Sequence, residues 1–508
     1  MIMSDAISET MIEAPQISFL DRAGLRGFPW VSAIVLYTIS YGWFWNVRNS
    51  YWADDWTGFV APSVENVDWN AFGFAPWLSL NEVLFNIVGP SWMRLAIFLF
   101  FFASGLFVYA ISGSFSKLTQ FKRSSITLLF LLLPFNTARV SLMTFHYSQA
   151  HFYFFFGWYL LAISKKTSMF LLACLLFFLS FQMHSLVLFF VLPLLYFLWQ
   201  LRTDKKLEFK SRLAVLTALP VLYVVGRSLF WSASSTYHSI SIRYVLTLLE
   251  LSALIFIATC LFLWFGKRSS NMSKLLVVFG FLSSLLGISA YVLGGFMGSI
   301  KNFLPNLLVG TFGRSDWSSR HLTLLPLGAS LLLVGILGLI LQRGSRLKKT
   351  LFGTLLTICV FINVGFGFEY VVDYSKQQAV VDELASKGQA PGIDKYKFAD
   401  QTTLLNARGR RYRARDWWGL VWTAYGLSAA ERVEILTACE AVETARFVEI
   451  IGPRTHWVAF RHWISEGNMG FKVTIEDSPM SCDQKRIYST KYSIFQIPIL
   501  FYFTGAKN

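Results

Sequence analysis

Residues 322–349 read LTLLPLGASLLLVGILGLILQRGSRLKK. The first twenty of these residues carry no charge, and the next eight include four Lys or Arg residues. An uncharged apolar run of about twenty residues matches the roughly 30 Å hydrocarbon core that a helix must cross. A basic cluster directly after such a run is typical of a cytoplasmic loop. The stretch therefore predicts a membrane-spanning helix that ends on the cytoplasmic side.

Similar apolar runs recur along the first two thirds of the chain, and the composition agrees with them. The sequence is 55% hydrophobic and 15% charged, with a mean hydropathy of +0.50, whereas a soluble domain carries about 25% charged residues. We therefore predict a polytopic α-helical membrane protein with about eleven spans. The predicted spans are 31–47, 92–111, 126–144, 151–163, 168–181, 185–199, 213–229, 244–265, 275–297, 322–341 and 351–366.

The basic residues predict the orientation of these spans. The net charge is +16, but the Lys and Arg residues recur in every second gap rather than in one patch, which favours cytoplasmic loops over a nucleic-acid surface. An odd number of spans sends the C-terminus outward. We predict a cytoplasmic segment at 1–30, a membrane domain at 31–368 with an outer loop at 48–91, and an extracytoplasmic domain at 369–508.

The tail from residue 369 has ordinary charge density and about 140 residues, enough to bury its own core. Its patterns predict helices at 371–386 and 429–438 and strands at 471–475 and 494–503, hence an α/β domain. Cys439 and Cys482 lie in this outward part, where a disulfide is permitted.

Two adjacent carboxylates follow the first predicted span. Residues 51–56, which we call the acid loop, read YWADDW, so Asp54 and Asp55 are flanked by Trp52 and Trp56 on the outer face. A carboxylate here could accept a proton from an acceptor hydroxyl, and the Trp rings could stack on sugars or form an interfacial belt. The alternative is a solvated loop in which one Asp caps a helix.

A second polar cluster lies in the outward loop before the tenth predicted span. Arg320 and His321 lead directly into that span, and Lys301 and Arg314 precede them. Arg presents a planar set of donors that suits phosphate oxygens, so we predict a binding site for a lipid-linked phosphate. The alternative is an Arg that reaches the lipid headgroups.

A third set of polar residues lies between and beside the neighbouring spans. Arg139 falls inside a predicted apolar run, where a charge is costly and is usually paired or functional. His146 and His151 follow it, and His184 lies in a predicted bend at 182–184 between the fifth and sixth spans. These residues are candidate substrate ligands, although a His near a membrane surface also serves as a packing residue.

A first helix, an outer loop that opens with paired acids, many further spans and an outward domain together resemble the GT-C glycosyltransferase superfamily. The residues that carry this resemblance are Asp54 and Asp55. Residues 319–326, SRHLTLLP, also look like the Arg-Tyr-Leu-Leu-Pro helix start of relatives that use polyprenyl-phosphate sugars, with His321 in place of the aromatic residue. In topology and size the chain is similar to the glucosyltransferases that decorate bacterial O-antigen.

The resemblance implies an inverting enzyme in the bacterial inner membrane. It would move a sugar, such as glucose, from undecaprenyl phosphate onto a periplasmic glycan such as the O-antigen of lipopolysaccharide. Asp54 or Asp55 would be the base, with Asp54 favoured, and Arg320 would bind the donor phosphate. Paired acids can hold Mg²⁺ or Mn²⁺, whereas relatives with monophosphate lipid donors often work without a metal.

Three alternatives remain open at this stage. An O-antigen polymerase or ligase would depend on Arg and His residues in later outer loops rather than on paired acids. A transporter or flippase for lipid or polysaccharide would place its charges along a path through both leaflets. A structural membrane anchor would leave the acid pair without a role.

Overall fold

The computed structural model describes residues 24–52, 55, 75–115, 118–135, 137–183, 185–203, 207–230, 271–293, 322–340, 345–389, 394–407, 410, 412–426, 433–436 and 442–480. Helices make up most of these residues, and a small sheet lies near the C-terminal end. The helices are α1 Trp30–Tyr41, α2 Ala75–Gly113, α3 Gln120–Leu132, α4 Phe145–Ile163, α5 Thr167–Ser180, α6 Ser185–Phe189, α7 Val191–Thr203, α8 Leu207–Phe230, α9 Asn271–Leu293, α10 Leu325–Ile340, α11 Ser345–Lys387, α12 Ala414–Tyr425 and α13 His456–Glu466.

Helix α2 is two helices joined at a sharp break. Gly89 has φ 73° and Pro90 follows it. Glycine tolerates this left-handed backbone, and proline suits the first position of a helix because its missing N–H would have no partner there. The second part of α2 covers the predicted span 92–111, and Arg94 lies one turn after its start.

The predicted span 126–144 is wrong beyond Leu132. Helix α3 ends there because Leu133, which precedes Pro134, has an extended backbone with ψ 129°. Two short 3-10 helices follow, Thr137–Val140 and Leu142–Thr144, and α4 begins at Phe145, six residues before the predicted start at 151. Arg139 therefore lies in a connection, which we call the 137–144 segment, and not in a long helix.

The remaining helices of the first part follow the predicted spans more closely. Helices α5, α8, α9 and α10 overlap the predictions at 168–181, 213–229, 275–297 and 322–341. The predicted span 185–199 is interrupted at Phe190, between α6 and α7. The predicted span 244–265 lies outside the described residues.

Helix α11 connects the apolar bundle to the tail. It contains 43 residues and is therefore about 65 Å long. The predicted span 351–366 and the predicted tail helix 371–386 are parts of this one helix, so the predicted boundary at 368/369 lies near its middle. Gly367 leaves room for the ring of Trp43, because a Cβ atom at this position would collide with that ring.

The tail contains a four-stranded sheet in the order β2-β1-β3-β4, with β1 Lys395–Asp400, β2 Glu434–Ile435, β3 Val442–Ile451 and β4 Lys472–Met480. Strand β1 is parallel to β2 and β3, and β3 is antiparallel to β4. Val380 and Leu384 of α11, Leu420 of α12 and Val448 and Ile450 of β3 form a common buried core. The sheet with its flanking helices agrees with the predicted α/β character.

Strands β2 and β4 lie where the sequence predicts a helix and a strand, respectively. The predicted helix 429–438 is wrong at its centre, because the backbone N–H groups of Glu434 and Leu436 donate to the carbonyls of Asp394 and Tyr396 at 2.8 and 2.9 Å and so form β2. The predicted strand 471–475 overlaps β4. The predicted strand 494–503 and both Cys439 and Cys482 lie outside the described residues.

Two helices of the described chain are long and apolar enough to cross a membrane, judged by length and composition. They are Val83–Gly113 and Arg346–Lys387. Shorter apolar helices occupy Thr167–Ser180, Ser185–Leu198, Met272–Ile288 and Leu325–Ile340.

Candidate functional site

The structure describes five of the predicted site residues, namely Asp55, Trp52, Arg139, His146 and His151. The others lie outside the described residues: Asp54, Trp56, His184, Lys301, Arg314, Arg320 and His321.

Asp55 is fully buried, and both of its carboxylate oxygens have partners. Oδ2 accepts a hydrogen bond from the backbone N–H of Trp52 at 3.1 Å, and Oδ1 accepts one from the hydroxyl of Ser141. Arg94 Nη2 lies 4.0 Å from Oδ2 and forms an ion pair with it. Hydrogen bonds to an ionised carboxylate favour the charged form, so these contacts hold Asp55 as a carboxylate in a fixed position.

Arg94 was not among the predicted site residues, yet it organises this part of the structure. Its Nε donates to the carbonyl of Val140 at 2.9 Å, and its two terminal nitrogens donate to the carbonyls of Arg48 and Ser50. The side chain of Arg94 therefore joins α2 to the residues 48–50 and to the 137–144 segment. The sequence did contain a signal for Arg94, because it is a lone basic residue near the start of the predicted span 92–111.

Trp52 connects the acid loop to α11. Its ring is 0% exposed, with the guanidinium of Arg94 5.1 Å from its centroid and the ring of Tyr370 at 5.2 Å in an edge-on arrangement. Val47, Val140 and Ala407 complete this cluster. In this arrangement the buried ring has no exposed face for a sugar, which favours packing over the predicted sugar contact.

Arg139 belongs to the 137–144 segment and has a different environment from that of Arg94. Its side chain is buried, and its guanidinium lies over the rings of Tyr41 and Phe101. Nε and Nη1 are buried and have no hydrogen-bond partner among the described residues. In the part of the chain that the structure describes, no carboxylate forms an ion pair with it.

The two described histidines lie on α4. His151 is fully buried and stacks on Phe101 and Phe130, with ring centroids 5.3 and 5.8 Å away. Its Nδ1 lies 3.3 Å from Ser104 Oγ. His146 is buried against the ring of Tyr147 at 4.4 Å. These environments fit packing roles, and a role in binding substrate stays a prediction.

Another cluster of polar side chains joins the second half of α11 to the part of the tail between β1 and α12. Lys376 Nζ donates to Asp400 Oδ2 at 2.8 Å and to Asn406, and Tyr412 donates to Asp373 Oδ1. Burial raises the pKa of the Asp373 carboxyl above its ordinary value, against the opposing effect of Lys376. These contacts hold the tail against α11 and fix the orientation of α11 relative to the sheet.

Asp55 does not have the surroundings of a metal ligand. Its oxygens accept from an N–H and an O–H group and face a guanidinium, which repels a divalent cation. Within the described residues no group of three or more His, Cys, Asp and Glu side chains could hold a metal ion. The residues of this site that the structure describes therefore do not fit Mg²⁺ or Mn²⁺.

No protein-family model, no curated protein and no solved structure matches the chain.

Proposed function

We propose that this protein is a polytopic membrane glycosyltransferase of the GT-C type. It moves a sugar from undecaprenyl phosphate onto an extracytoplasmic glycan such as O-antigen, and its tail lies on the outer side of the bacterial inner membrane. The observation that carries the proposal is the fixed position of Asp55, which is held by Arg94 and Ser141 of two other elements of the fold. A catalytic acid pair requires a fixed position of this kind, because a base must meet its substrate within hydrogen-bond reach.

The outer surfaces of the helices support a membrane environment. Four apolar side chains form one stripe along α1 and are 47–77% exposed: Val31, Ile34, Val35 and Ile39. Helix α8 exposes Val221, Leu222 and Leu229 in the same way. Contiguous exposed apolar surface marks contact with a membrane or another protein, and lipid tails would cover these stripes on several helices at once.

Contacts between distant parts of the chain support the common outer location of the acid loop and the tail. Trp43 stacks on Tyr370 at 5.3 Å, and Trp52 packs edge-on against the same ring. Tyr370 lies past the predicted end of the last span, and Trp52 lies past the predicted end of the first. The odd number of predicted spans places both regions on the same side.

The contacts of Asp55 support a division of roles within the acid pair. Both Asp55 oxygens have protein donors and the side chain is 0% exposed, so Asp55 acts as a positioning residue. Asp54 is then the base. The acceptor hydroxyl attacks the anomeric carbon of the sugar and gives its proton to Asp54. The bond between that carbon and the phosphate oxygen breaks, and the electron pair leaves with the phosphate, which needs positive donors.

The proposed hydrogen-bond donors to the phosphate are Arg320, His321, Arg314 and Lys301, since all four belong to the predicted outward loop before α10. No step of this proposal requires a metal ion.

The test is sugar transfer from a purified undecaprenyl-phosphate sugar, followed by mass spectrometry of the surface glycan in cells with and without the protein. Asp54→Asn keeps the size of the side chain but removes the base, which typically lowers a rate by about a hundred- to ten-thousand-fold. Glu466→Gln, at an exposed end of α13, is the control for loss of one negative charge. Transfer by Asp54→Asn at the wild-type rate, or an unchanged glycan in cells without the protein, would refute the proposal.

A further inference from the structure

Arg139 is a buried cation whose guanidinium contacts aromatic rings within the described part of the chain. Its side chain is 8% exposed, and the rings of Tyr37, Tyr41 and Phe101 surround its guanidinium. Nε and Nη1 are buried without an acceptor among the described residues, and the hydroxyl of Tyr41 is buried without a partner as well. Two side chains in contact thus present unused hydrogen-bond donors in the same place.

Two other buried arginines have the acceptors that Arg139 lacks among the described residues. Arg94 donates to three backbone carbonyls and pairs with Asp55. Arg212, which is 7% exposed, lies over the ring of Phe170 as Arg139 lies over Tyr41, but it donates to the carbonyl of Lys165 at 2.8 Å. Burial and ring contacts are therefore common to Arg139 and Arg212, and the acceptor is the difference.

An unpaired buried charge is strongly unfavourable, and a guanidinium cannot avoid this by losing its proton. Ring faces supply part of the missing stabilisation, but they are much weaker acceptors of N–H groups than oxygen atoms are. An anion with several oxygens would satisfy both the charge and the donors. Phosphate and carboxylate oxygens both match the planar fork of a guanidinium, and phosphate is the anion that the proposed sugar donor carries.

The position of Arg139 links this anion site to the acid loop. The carbonyl of Val140 accepts a hydrogen bond from Arg94, and the hydroxyl of Ser141 donates one to Asp55. Consecutive Cα atoms are about 3.8 Å apart, so the Cα atom of Arg139 is within about 8 Å of the Cα atom of Ser141, whose hydroxyl donates to Asp55. Arg139 is thus separated by one residue from a side chain that holds Asp55.

We propose that Arg139 binds the phosphate of the lipid-linked sugar donor, with the Tyr41 hydroxyl as a second donor. This inference rests on the proposed function for the identity of the lipid, but the anion site itself follows from the contacts of Arg139.

The test measures binding and not turnover, with purified full-length protein in detergent. Undecaprenyl phosphate and the neutral alcohol undecaprenol are titrated separately, and affinity is read from the ligand-dependent shift in melting temperature and from native mass spectrometry. We expect Arg139→Gln to weaken binding of undecaprenyl phosphate by about ten- to a hundred-fold, the loss typical of a charged hydrogen bond. Binding of undecaprenol should not change.

Arg212→Gln is the matched control, because it removes an equally buried arginine that also contacts a ring. It should leave affinity for undecaprenyl phosphate within about two-fold of wild type, well below the ten-fold change that a lost charged contact produces. Should Arg139→Gln fail to fold, Arg139→Lys retains the charge and should still bind undecaprenyl phosphate more weakly than wild type, because a point charge lacks the planar fork. Equal affinity of wild type, Arg139→Gln and Arg139→Lys would overturn the anion site.

A third arm uses inorganic phosphate alone, at millimolar concentration, to identify the source of the anion. Stabilisation by undecaprenyl phosphate that inorganic phosphate neither reproduces nor displaces supports the lipid-linked ligand. Equal stabilisation by inorganic phosphate that depends on Arg139 overturns the lipid assignment. The result is separable from the proposed function, because Arg139-dependent lipid binding without any sugar transfer would refute the transferase alone.

Discussion

Arg94 of α2 contacts the 137–144 segment, Arg139 belongs to that segment, and both arginines are buried. Arg94 has three carbonyl acceptors and a carboxylate. Arg139 has aromatic rings and two nitrogens without an acceptor in the described part of the chain. Burial alone therefore does not separate a cation whose donors are all used from one that has unused donors. The hydrogen-bond partners of each arginine separate the two, because a cation whose donors are all used has none left for a substrate.

The same distinction applies to the acids. Asp55 has donors on both oxygens, whereas Asp373 has Tyr412 on Oδ1 and no partner among the described residues on Oδ2. Burial raises the pKa of Asp373, while the contacts of Asp55 favour its charged form. Asp55 therefore belongs with Arg94 as a fixed pair, and the comparison between Arg94 and Arg139 predicts opposite effects of mutation.

The largest effect on stability is expected for Arg94→Met. The variant leaves the Asp55 carboxylate buried without its cation and three carbonyls without their donor. Breaking one partner of a buried pair costs about 3–5 kcal/mol, so the free energy of unfolding in detergent should fall by about this amount. Equilibrium unfolding in mixed micelles measures it, with Arg94→Lys as the control that keeps the charge. A loss below about 1 kcal/mol, the range of an exposed pair, would mean that the pair does not stabilise the loop.

Ser141→Ala should have an intermediate effect. Its hydroxyl donates to a charged and fully buried oxygen of Asp55, and such a hydrogen bond contributes about 1.5–3 kcal/mol. The control is Ser112→Ala, another buried serine, whose hydroxyl donates to the uncharged backbone carbonyl of Tyr109 at 2.7 Å. The same unfolding assay should give a smaller loss there, about 0.5–1.5 kcal/mol. Equal losses for the two serines would contradict a charged Asp55.

Arg139→Met should have the smallest effect on stability and the opposite sign. The substitution removes a buried charge that has no counter-ion among the described residues and replaces it with an apolar chain of similar length. Replacing buried charges by apolar side chains is often neutral or stabilising by 1 kcal/mol or more, so the ligand-free protein should unfold with an unchanged or slightly higher free energy. Destabilisation as large as that of Arg94→Met would show that Arg139 is structural.

Much of the helical fold could be predicted from apolar runs, since α5, α8, α9 and α10 overlap predicted spans. The third predicted span failed because the apolar run continued past Pro134, where the backbone constraint on the preceding residue outweighs hydropathy. The helix predicted at 429–438 failed for another reason. Its centre pairs with β1, and pairing with a distant strand overrides local helical preference.

The candidate site could be predicted only in part. The acid pair and Arg139 were recognisable because charged residues are conspicuous beside apolar runs. Arg94 had the same signal, but its importance depends on partners that the sequence does not identify. The hydrogen bond from Arg94 to Val140 spans 46 positions, and the one from Ser141 to Asp55 spans 86.

The sequence by itself determined where most of the helices lie and that charge gathers at their ends, because both properties depend on neighbouring residues in the chain. It also determined that Asp54 and Asp55 follow the first helix. Only the tertiary structure decided which of the charged groups are satisfied. Hydrogen bonds and ion pairs act over a few ångströms, so whether a buried arginine has an acceptor depends on which distant segments the fold brings within that range.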